Sequence, residues 1–345
     1  MKIVIAIIIF SLIVIFHELG HFWLAKANGI LVNEFSLGLG PTIIGFKRGE
    51  TKYSLKLLPF GGACMMEGED GESENPRSFQ NKSVWARISV VLAGPVFNFI
   101  LAFVFSFIMI TAMGYNSTKI AGVIDGYAAD EAGMQDGDTI VKLNNSRVHF
   151  FGEIGSYAAL HEGEDVLVTY ERDGKRYQTT LSPTFNEEEG RYLYGFQGCY
   201  PEKRSNVFHN LLYAGYDVGY YIKMTFESLR MLFSGAASMN DLSGPVGIVS
   251  TMGEDYEQAV VAGGIKYGLL DMCAWMVLIS ANLGVMNLLP IPALDGGRLV
   301  FLLIEAVTKK RVPPEKEGMV HMIGIVLLML LMVVVMFNDI RKLFI

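Results

Sequence analysis

Phe16-His17-Glu18-Leu19-Gly20-His21 contains two imidazoles and a carboxylate at a spacing that can do chemistry. It reads H-E-x-x-H, a zinc-hydrolase pattern. On an α-helix, His17 and His21 lie about 40° apart and Glu18 about 60° from His21, so all three project from one broad side. Two neutral imidazoles can bind Zn²⁺, and the carboxylate between them can handle the proton of a water that the metal activates. A chance match would be unremarkable on a soluble surface helix. Here the three groups sit in an apolar run from Ile3 to about Ala27. There each ionisable side chain costs roughly 2.5–3.5 kcal/mol at the centre of a membrane span. A metal compensates that cost, and the site then needs a third ligand from elsewhere in the chain.

The run that carries these residues is long enough to cross about 30 Å of hydrocarbon. His17 lies about 21 Å along the helix from Ile3, beyond the midplane. The helix is expected to end near Asn28-Gly29. Residues 1–16 look like a signal peptide, but His-Glu and Phe22-Trp23 follow where small residues would mark cleavage, so the segment is expected to be retained. Further apolar spans are read at Ile88–Met113, Tyr267–Leu289 and Met319–Phe337, the last with His321 near its start.

With 51% hydrophobic and 18% charged residues among 345, the composition is too apolar for an ordinary soluble protein. The net charge of −7 argues against a nucleic-acid partner. Between residues 118 and 202 there are 15 acidic and 7 basic side chains, which describes a solvated acidic insert. Cys64, Cys199 and Cys273 form no C-x-x-C pair, so neither a disulfide framework nor a cysteine zinc site is indicated.

The elements are expected as follows. Residues 1–28 hold the first span, and 29–87 a membrane-associated β-region and loop. Within that region Glu34–Leu39 and Thr51–Leu58 alternate as half-buried strands, punctuated by Gly38-x-Gly40-Pro41 and Pro59-Phe60-Gly61-Gly62. An edge near Tyr53–Leu58 could accept an extended peptide, or the hairpin could simply connect. Glu67–Glu74 reads as a solvated loop, and Cys64 as a small core residue in preference to one close to the active site. The second span, 88–113, contains Gly94-Pro95 and Asn98, and Asn98 fits a helix-bridging role better than a substrate contact.

Residues 117–186 read as a small mixed domain with strands at 120–124, 139–143, 166–170 and 178–181 and helices at 128–132 and 151–161. Residues 187–260 read as amphipathic helices on the membrane surface and a linker; docking of 202–234 on the insert is the competing reading. The third span, 261–297, runs into Pro290-Ile-Pro292-Ala-Leu-Asp295-Gly296-Gly297, where two prolines and two glycines unwind the helix at membrane depth. Asp295 is the obvious third zinc ligand, against the alternative of a helix-capping aspartate. Residues 298–318 are expected as a cytosolic loop and 319–345 as the fourth span and tail. The basic residues of loops 28–87 and 298–318 place both in the cytosol. The insert then lies outside, and the metal toward the cytosolic leaflet.

The order of these motifs resembles the site-2 proteases, intramembrane zinc metalloproteases. The resemblance rests on His17-Glu-x-x-His21, Asn287-x-x-Pro-x-Pro-x-Leu-Asp295-Gly-Gly, Leu58-Pro-Phe-Gly-Gly62, Phe79-Gln-Asn-Lys-Ser-Val-Trp85, Ala93-Gly-Pro-Val-Phe-Asn98 and Gly244-Pro-Val-Gly-Ile248. It covers nearly the whole chain and is nearest the bacterial regulator-of-sigma-E branch, in the single-PDZ form of Gram-positive homologues. The fold it implies is a polytopic α-helical membrane protein with four transmembrane helices, a membrane-associated β-sheet and one inserted α/β PDZ domain, recognised in Ala128-Ala-Asp-Glu-Ala-Gly-Met-Gln-Asp-Gly-Asp138. It implies one Zn²⁺ on His17, His21 and Asp295, Glu18 as the catalytic residue, and substrate contacts among Asn287, Gly61, Gly62 and Asn98. The substrates implied are single-span membrane proteins, such as anti-sigma factors already shortened outside, or remnant signal peptides, within the bilayer of a bacterial cell membrane.

Two other function classes are weaker. A metal transporter needs polar sites spaced across the membrane or repeated halves, and the chain has one cluster and no repeat. A PDZ scaffold with a dead site does not need the four chemical residues that are all present.

Overall fold

A computed structural model describes residues 2–69, 71, 73–187, 190–235 and 243–344. The chain divides into two compact units, Met1–Phe105 with Tyr221–Ile345, and Ser106–Tyr220. The first unit opens with α1 (Lys2–Ala27). It stops where Gly29 takes φ +67°, a left-handed conformation that glycine adopts freely.

Strands β1 (Val32–Arg48) and β2 (Thr51–Met66) are each bent, so two strands make four rows. Residues 51–56 pair with 42–48 on one side, while 52–58 pair with 34–39 on the other. Residues 34–37 pair in turn with 62–65. This corrects the expectation of a free edge near Tyr53–Leu58: both ladder sides of that row are used, and the rows paired on one side only are 42–48 and Gly62–Met66, the second of which lines the cavity described below. Core residues Ala25, Ile30, Val32, Cys64, Met66, Ile88 and Val90 seal the sheet against α1 and α2 (Val84–Met113), a helix that begins four residues before the expected span.

The acidic loop is not simply solvated. Glu69 pairs with Arg298, and Glu67 accepts from Asn33 Nδ2 at 2.8 Å.

In the second unit the strands are β3 (Tyr115–Ile120), β4 (Thr139–Leu143), β5 (Ser146–Arg147), β6 (Val166–Arg172), β7 (Lys175–Leu181), β8 (Thr184–Asn186), β9 (Arg191–Leu193) and β10 (Cys199–Glu202). The helices α3 (Ala128–Glu131) and α4 (Phe151–Leu160) interleave with them. The main sheet runs β10-β3-β4-β6-β7, so the insert ends near 202 rather than 186: β10 returns to pair with the first strand. Ile120, Met134, Ile140, Leu143, Val166, Val168 and Leu181 fill its core.

Helix α5 (Val207–Ser234) starts in this unit and is held there by side chains. Asn210 Nδ2 donates to Thr111 Oγ1 at 3.2 Å, Ser106 Oγ donates to Asp217 at 2.6 Å, and Tyr216 stacks on His149 at 3.8 Å. These contacts fit the docking reading for one face at the start of α5, while Phe208 and Leu212 leave another face apolar and exposed.

The expected flexible link 235–241 falls almost wholly outside the described residues. Helix α6 (Pro245–Gly263) follows and also departs from a surface helix. Its Met252 and Tyr256 are buried among Ile9, Ile13, Leu101, Met272 and Met276. The backbone N–H groups of Gly244 and Gly247 each donate to Asp339 at 2.9 Å, a carboxylate at a helix N-terminus.

Helix α7 (Ile265–Leu288) is tied to α2 by Ser280 Oγ, which donates to the Asn98 carbonyl at 2.8 Å. The expected loop 298–318 is largely helical: α8 covers Asp295–Thr308. Its two leading glycines looked like a turn, but they are needed for contact, since a Cβ on Gly296 or Gly297 would overlap the Leu288 or Ile291 carbonyl. Helix α9 (Pro314–Phe344) completes the unit. Among the described residues, four helices, within α1, α2, α7 and α9, are long and apolar enough to cross a membrane.

Candidate active site

A cavity of about 580 Å³ opens between α1, the Gly62–Met66 row, and the segment that leads into α8. His17 and His21 reach it from α1, one helical turn apart, and Asp295 reaches it from the first turn of α8. The two Nε2 atoms are 3.2 Å apart, and Asp295 Oδ2 lies 3.2 Å from His17 Nε2 and 3.4 Å from His21 Nε2.

Hydrogen bonding at the far side of each ring decides what these three atoms can do. His21 Nδ1–H donates to the Val90 carbonyl at 2.8 Å, which leaves a lone pair on its Nε2. His17 Nδ1 lies 3.2 Å from the Asn98 carboxamide. Turned with its oxygen toward the ring, that carboxamide accepts Nδ1–H, and Asn98 Oδ1, otherwise buried without a partner, is satisfied. Asp295 Oδ2 is likewise buried without a hydrogen bond. Three lone pairs thus converge on one point, an arrangement that is repulsive unless a cation occupies it. A tetrahedral ion with bonds of about 2.0–2.1 Å separates its ligand atoms by about 3.3 Å, which matches the triangle. The residues present fit Zn²⁺.

Close backbone approach makes the triangle possible. A Cβ on Gly94 would overlap both imidazoles, and one on Gly20 would strike the Ala93 carbonyl. Glycine at these two positions lets α1 and α2 come together around the rings. On the other flank, a Cβ on Gly62 would fall 2.9 Å from Glu18 Cγ, so the β-sheet also leaves the carboxylate its space.

The turn before Asp295 is braced from α9. Ala293 holds φ +82°, an unusual conformation for a residue with a Cβ. Its N–H donates to His321 Nδ1 at 3.2 Å, and one turn further along, Gly324 packs so tightly that a Cβ would strike the Pro292 carbonyl.

The profile of Peptidase family M50 matches residues 5–331. The chain belongs to that family. A Clostridium acetobutylicum protein is 39% identical over 98% of this chain and 97% of its own length. The zinc metalloprotease RasP of Geobacillus kaustophilus is 33% identical over 98% of this chain and 97% of its own. The regulator of sigma-W protease RasP of Bacillus subtilis is 32% identical over 98% of each. Among solved structures, the PDZ domain of an SdrC-like protein from Listeria monocytogenes overlaps 24% of this chain at 20% identity and a TM-score of 0.22, too slight a likeness to assign the insert. As an M50 peptidase the chain is a membrane-embedded zinc metalloprotease, and zinc is its cofactor.

In this peptidase the structure brings His17, His21, Asp295, Glu18, Gly62 and Asn287 to one cavity. Asn287 Nδ2 stands 3.5 Å from His17 Nδ1, the same ring atom that Asn98 approaches. Two expected substrate contacts fall elsewhere. Asn98 is fully buried behind His17 and does not line the cavity, because its carboxamide is spent on the ring. Gly61, at φ +82°, faces Leu39. Cys64 is both things the sequence allowed: it is buried in the core and its row lines the cavity. Burial, with the Glu69 and Glu18 carboxylates nearby, pushes its thiol pKa up. Sequence reasoning missed Gly94, the Val90 carbonyl and the bracing role of His321. Gly94, beside Pro95 in an apolar span, and His321, an imidazole near the start of another, offered signals; the Val90 carbonyl offered none.

Proposed function

We propose that this M50 peptidase hydrolyses peptide bonds inside the transmembrane segments of single-span proteins. His17, His21 and Asp295 hold the zinc ion, and Glu18 moves the proton. The observation that carries the reading is the lone-pair triangle in the same cavity as Glu18, among helices apolar enough to be spans.

Zinc, when bound there, supplies Lewis acidity that polarises the scissile carbonyl and acidifies the attacking water. Glu18 accepts a proton from that water as its oxygen bonds to the carbonyl carbon. Glu18 then passes the proton to the nitrogen as the C–N bond breaks, leaving a carboxylate and an amine. Val90 and Asn98 hold the imidazoles in the tautomer that presents Nε2. A helical carbonyl is shielded, so the substrate must unwind first. The open side of the Gly62–Met66 row supports pairing with the unwound segment, and Gly62, without a side chain, leaves that segment room beside Glu18. Asn287, at the cavity wall, is placed to contact it.

The relative named a regulator of sigma-W protease, together with the site-2 protease resemblance, supports anti-sigma factors shortened by an earlier outside cut as substrates, alongside remnant signal peptides. The basic loops support an active site toward the cytosolic leaflet and an insert outside a bacterial cell membrane. The insert is read as a PDZ domain that screens substrates. A groove of about 200 Å³ between α4 and residues 191–196, walled by Phe151, Ile154, Ala158 and Tyr194, gives it a place for an apolar peptide end.

The test is to reconstitute the protein in liposomes with a single-span substrate and weigh the fragments. Cuts within the span that stop with a chelator and return with zinc support the reading. Cuts confined to the substrate's soluble parts would contradict it.

A further inference from the structure

A second cavity, of about 480 Å³, lies apart from the metal site, between the start of α2 and the end of α8. Four cations line it, Lys82, Arg87, Lys309 and Arg311, against one carboxylate, Glu305. Glu305 is shared: Arg87 donates to it at 3.1 Å through Nη1, and Arg311 Nε lies 3.8 Å away. Lys82 and Lys309 have no ion pair or hydrogen bond to their ammonium groups among the described residues. The cavity therefore holds a surplus of positive charge facing open space.

Two further observations place it at the membrane surface. Trp85, in the first turn of the α2 span, is 68% exposed, and a projecting indole at a span terminus belongs at headgroup depth. Along α8, Val300, Leu303, Ile304 and Val307 are exposed at helical spacing, Val307 at 83%, and this apolar stripe ends beside Lys309. A free phosphate ion would use the lysines and have no need of the stripe. A lipid uses both, with its headgroup against the cations and its chains along the stripe.

We propose that this cavity binds the phosphodiester of an anionic phospholipid, held between Lys82 and Lys309, with its acyl chains lying on the exposed face of α8. The Arg87–Glu305 pair already joins the two helices, and the lipid phosphate bridges them a second time on the membrane side. The proposal rests on α2 being a membrane span and is independent of the peptidase chemistry.

Native mass spectrometry tests it on the full-length, zinc-loaded protein after delipidation, re-supplied in turn with phosphatidylglycerol, phosphatidylethanolamine and glycerol 1-phosphate. The expected result is retained phosphatidylglycerol, little phosphatidylethanolamine and no glycerol 1-phosphate. Each lysine removed should lower phosphatidylglycerol retention about fivefold, so Lys82→Gln with Lys309→Gln loses most of it. The control pair Lys142→Gln and Lys175→Gln, on the insert, should leave retention unchanged. If the double variant does not fold, Lys309→Gln alone, at an exposed position, still reads the fivefold loss. Equal retention in variant and native protein, or equal retention of phosphatidylethanolamine, overturns the proposal. Glycerol 1-phosphate bound as tightly as the lipid overturns it too, by making the site one for a free anion.

Discussion

Gly94 of α2 stands against the His21 imidazole so closely that one added carbon would overlap Nε2, the atom that faces His17 Nε2 and Asp295. The relationship is steric, and it makes a small residue on a neighbouring helix part of the proposed zinc site. Gly94→Ala should therefore push His21 out of the triangle while keeping every ligand. The expected outcome is zinc affinity lowered about tenfold or more, read by competition with a chelating dye. An unchanged affinity would show that the helices part without cost.

Behind His17 the requirement is chemical. Asn98 supplies the acceptor that fixes the Nδ1–H tautomer. Asn98→Ala is expected to weaken zinc by about 10–100-fold with secondary structure intact. Full zinc content at limiting zinc would remove Asn98 from this role.

The Ala293 turn carries strain that His321 helps to hold. His321→Ala leaves the Ala293 N–H without its acceptor, at an expected loss of about 1–3 kcal/mol in stability. Ala293→Gly in the same background should recover part of the loss, because glycine takes φ +82° without a Cβ penalty. Thermal melts of the two variants side by side measure it, and a further loss with glycine would rule out strain as the cause.

Asp217 gives a prediction in the second unit. Burial raises its pKa to about 6, although the Ser106 hydroxyl opposes the shift. The fold therefore takes up a proton that the unfolded chain releases near pH 4. Stability falls as pH rises from about 4 to about 6 and stays low above that, by about 3 kcal/mol. Asp217→Asn keeps an acceptor for Ser106 and removes the charge. It should raise the melting temperature by a few degrees at pH 7.5 and change little at pH 4. The opposite pH pattern would mean that the charge is stabilised in the fold.

The chemistry was more legible in the sequence than its supports. His17, Glu18, His21 and Asp295 stand out because ionisable side chains in apolar surroundings need a reason. Gly94 stands out only as a glycine within a span, with nothing to show which side chain it makes room for, and the Val90 carbonyl, being backbone, does not stand out at all. Alternation showed that Thr51–Leu58 is a strand, but period alone does not say which row lies at an edge, and the edges proved to be 42–48 and Gly62–Met66. Gly296-Gly297 read as a helix-breaking turn because helix propensity disfavours glycine. Close packing on the Leu288 and Ile291 carbonyls overrides that preference and lets α8 begin there. For α6, the mixture of polar and apolar residues suggested a surface, yet Met252 and Tyr256 are buried between spans.

The central claim is that Glu18 moves the proton and does not hold the metal. Its most direct test is Glu18→Gln in the purified, reconstituted protein, with zinc content and cleavage of a single-span substrate measured on the same sample. The expected result is one zinc per chain, as in the native protein, with cleavage lowered by at least about 10²-fold. Cleavage at the native rate with zinc retained would contradict the account.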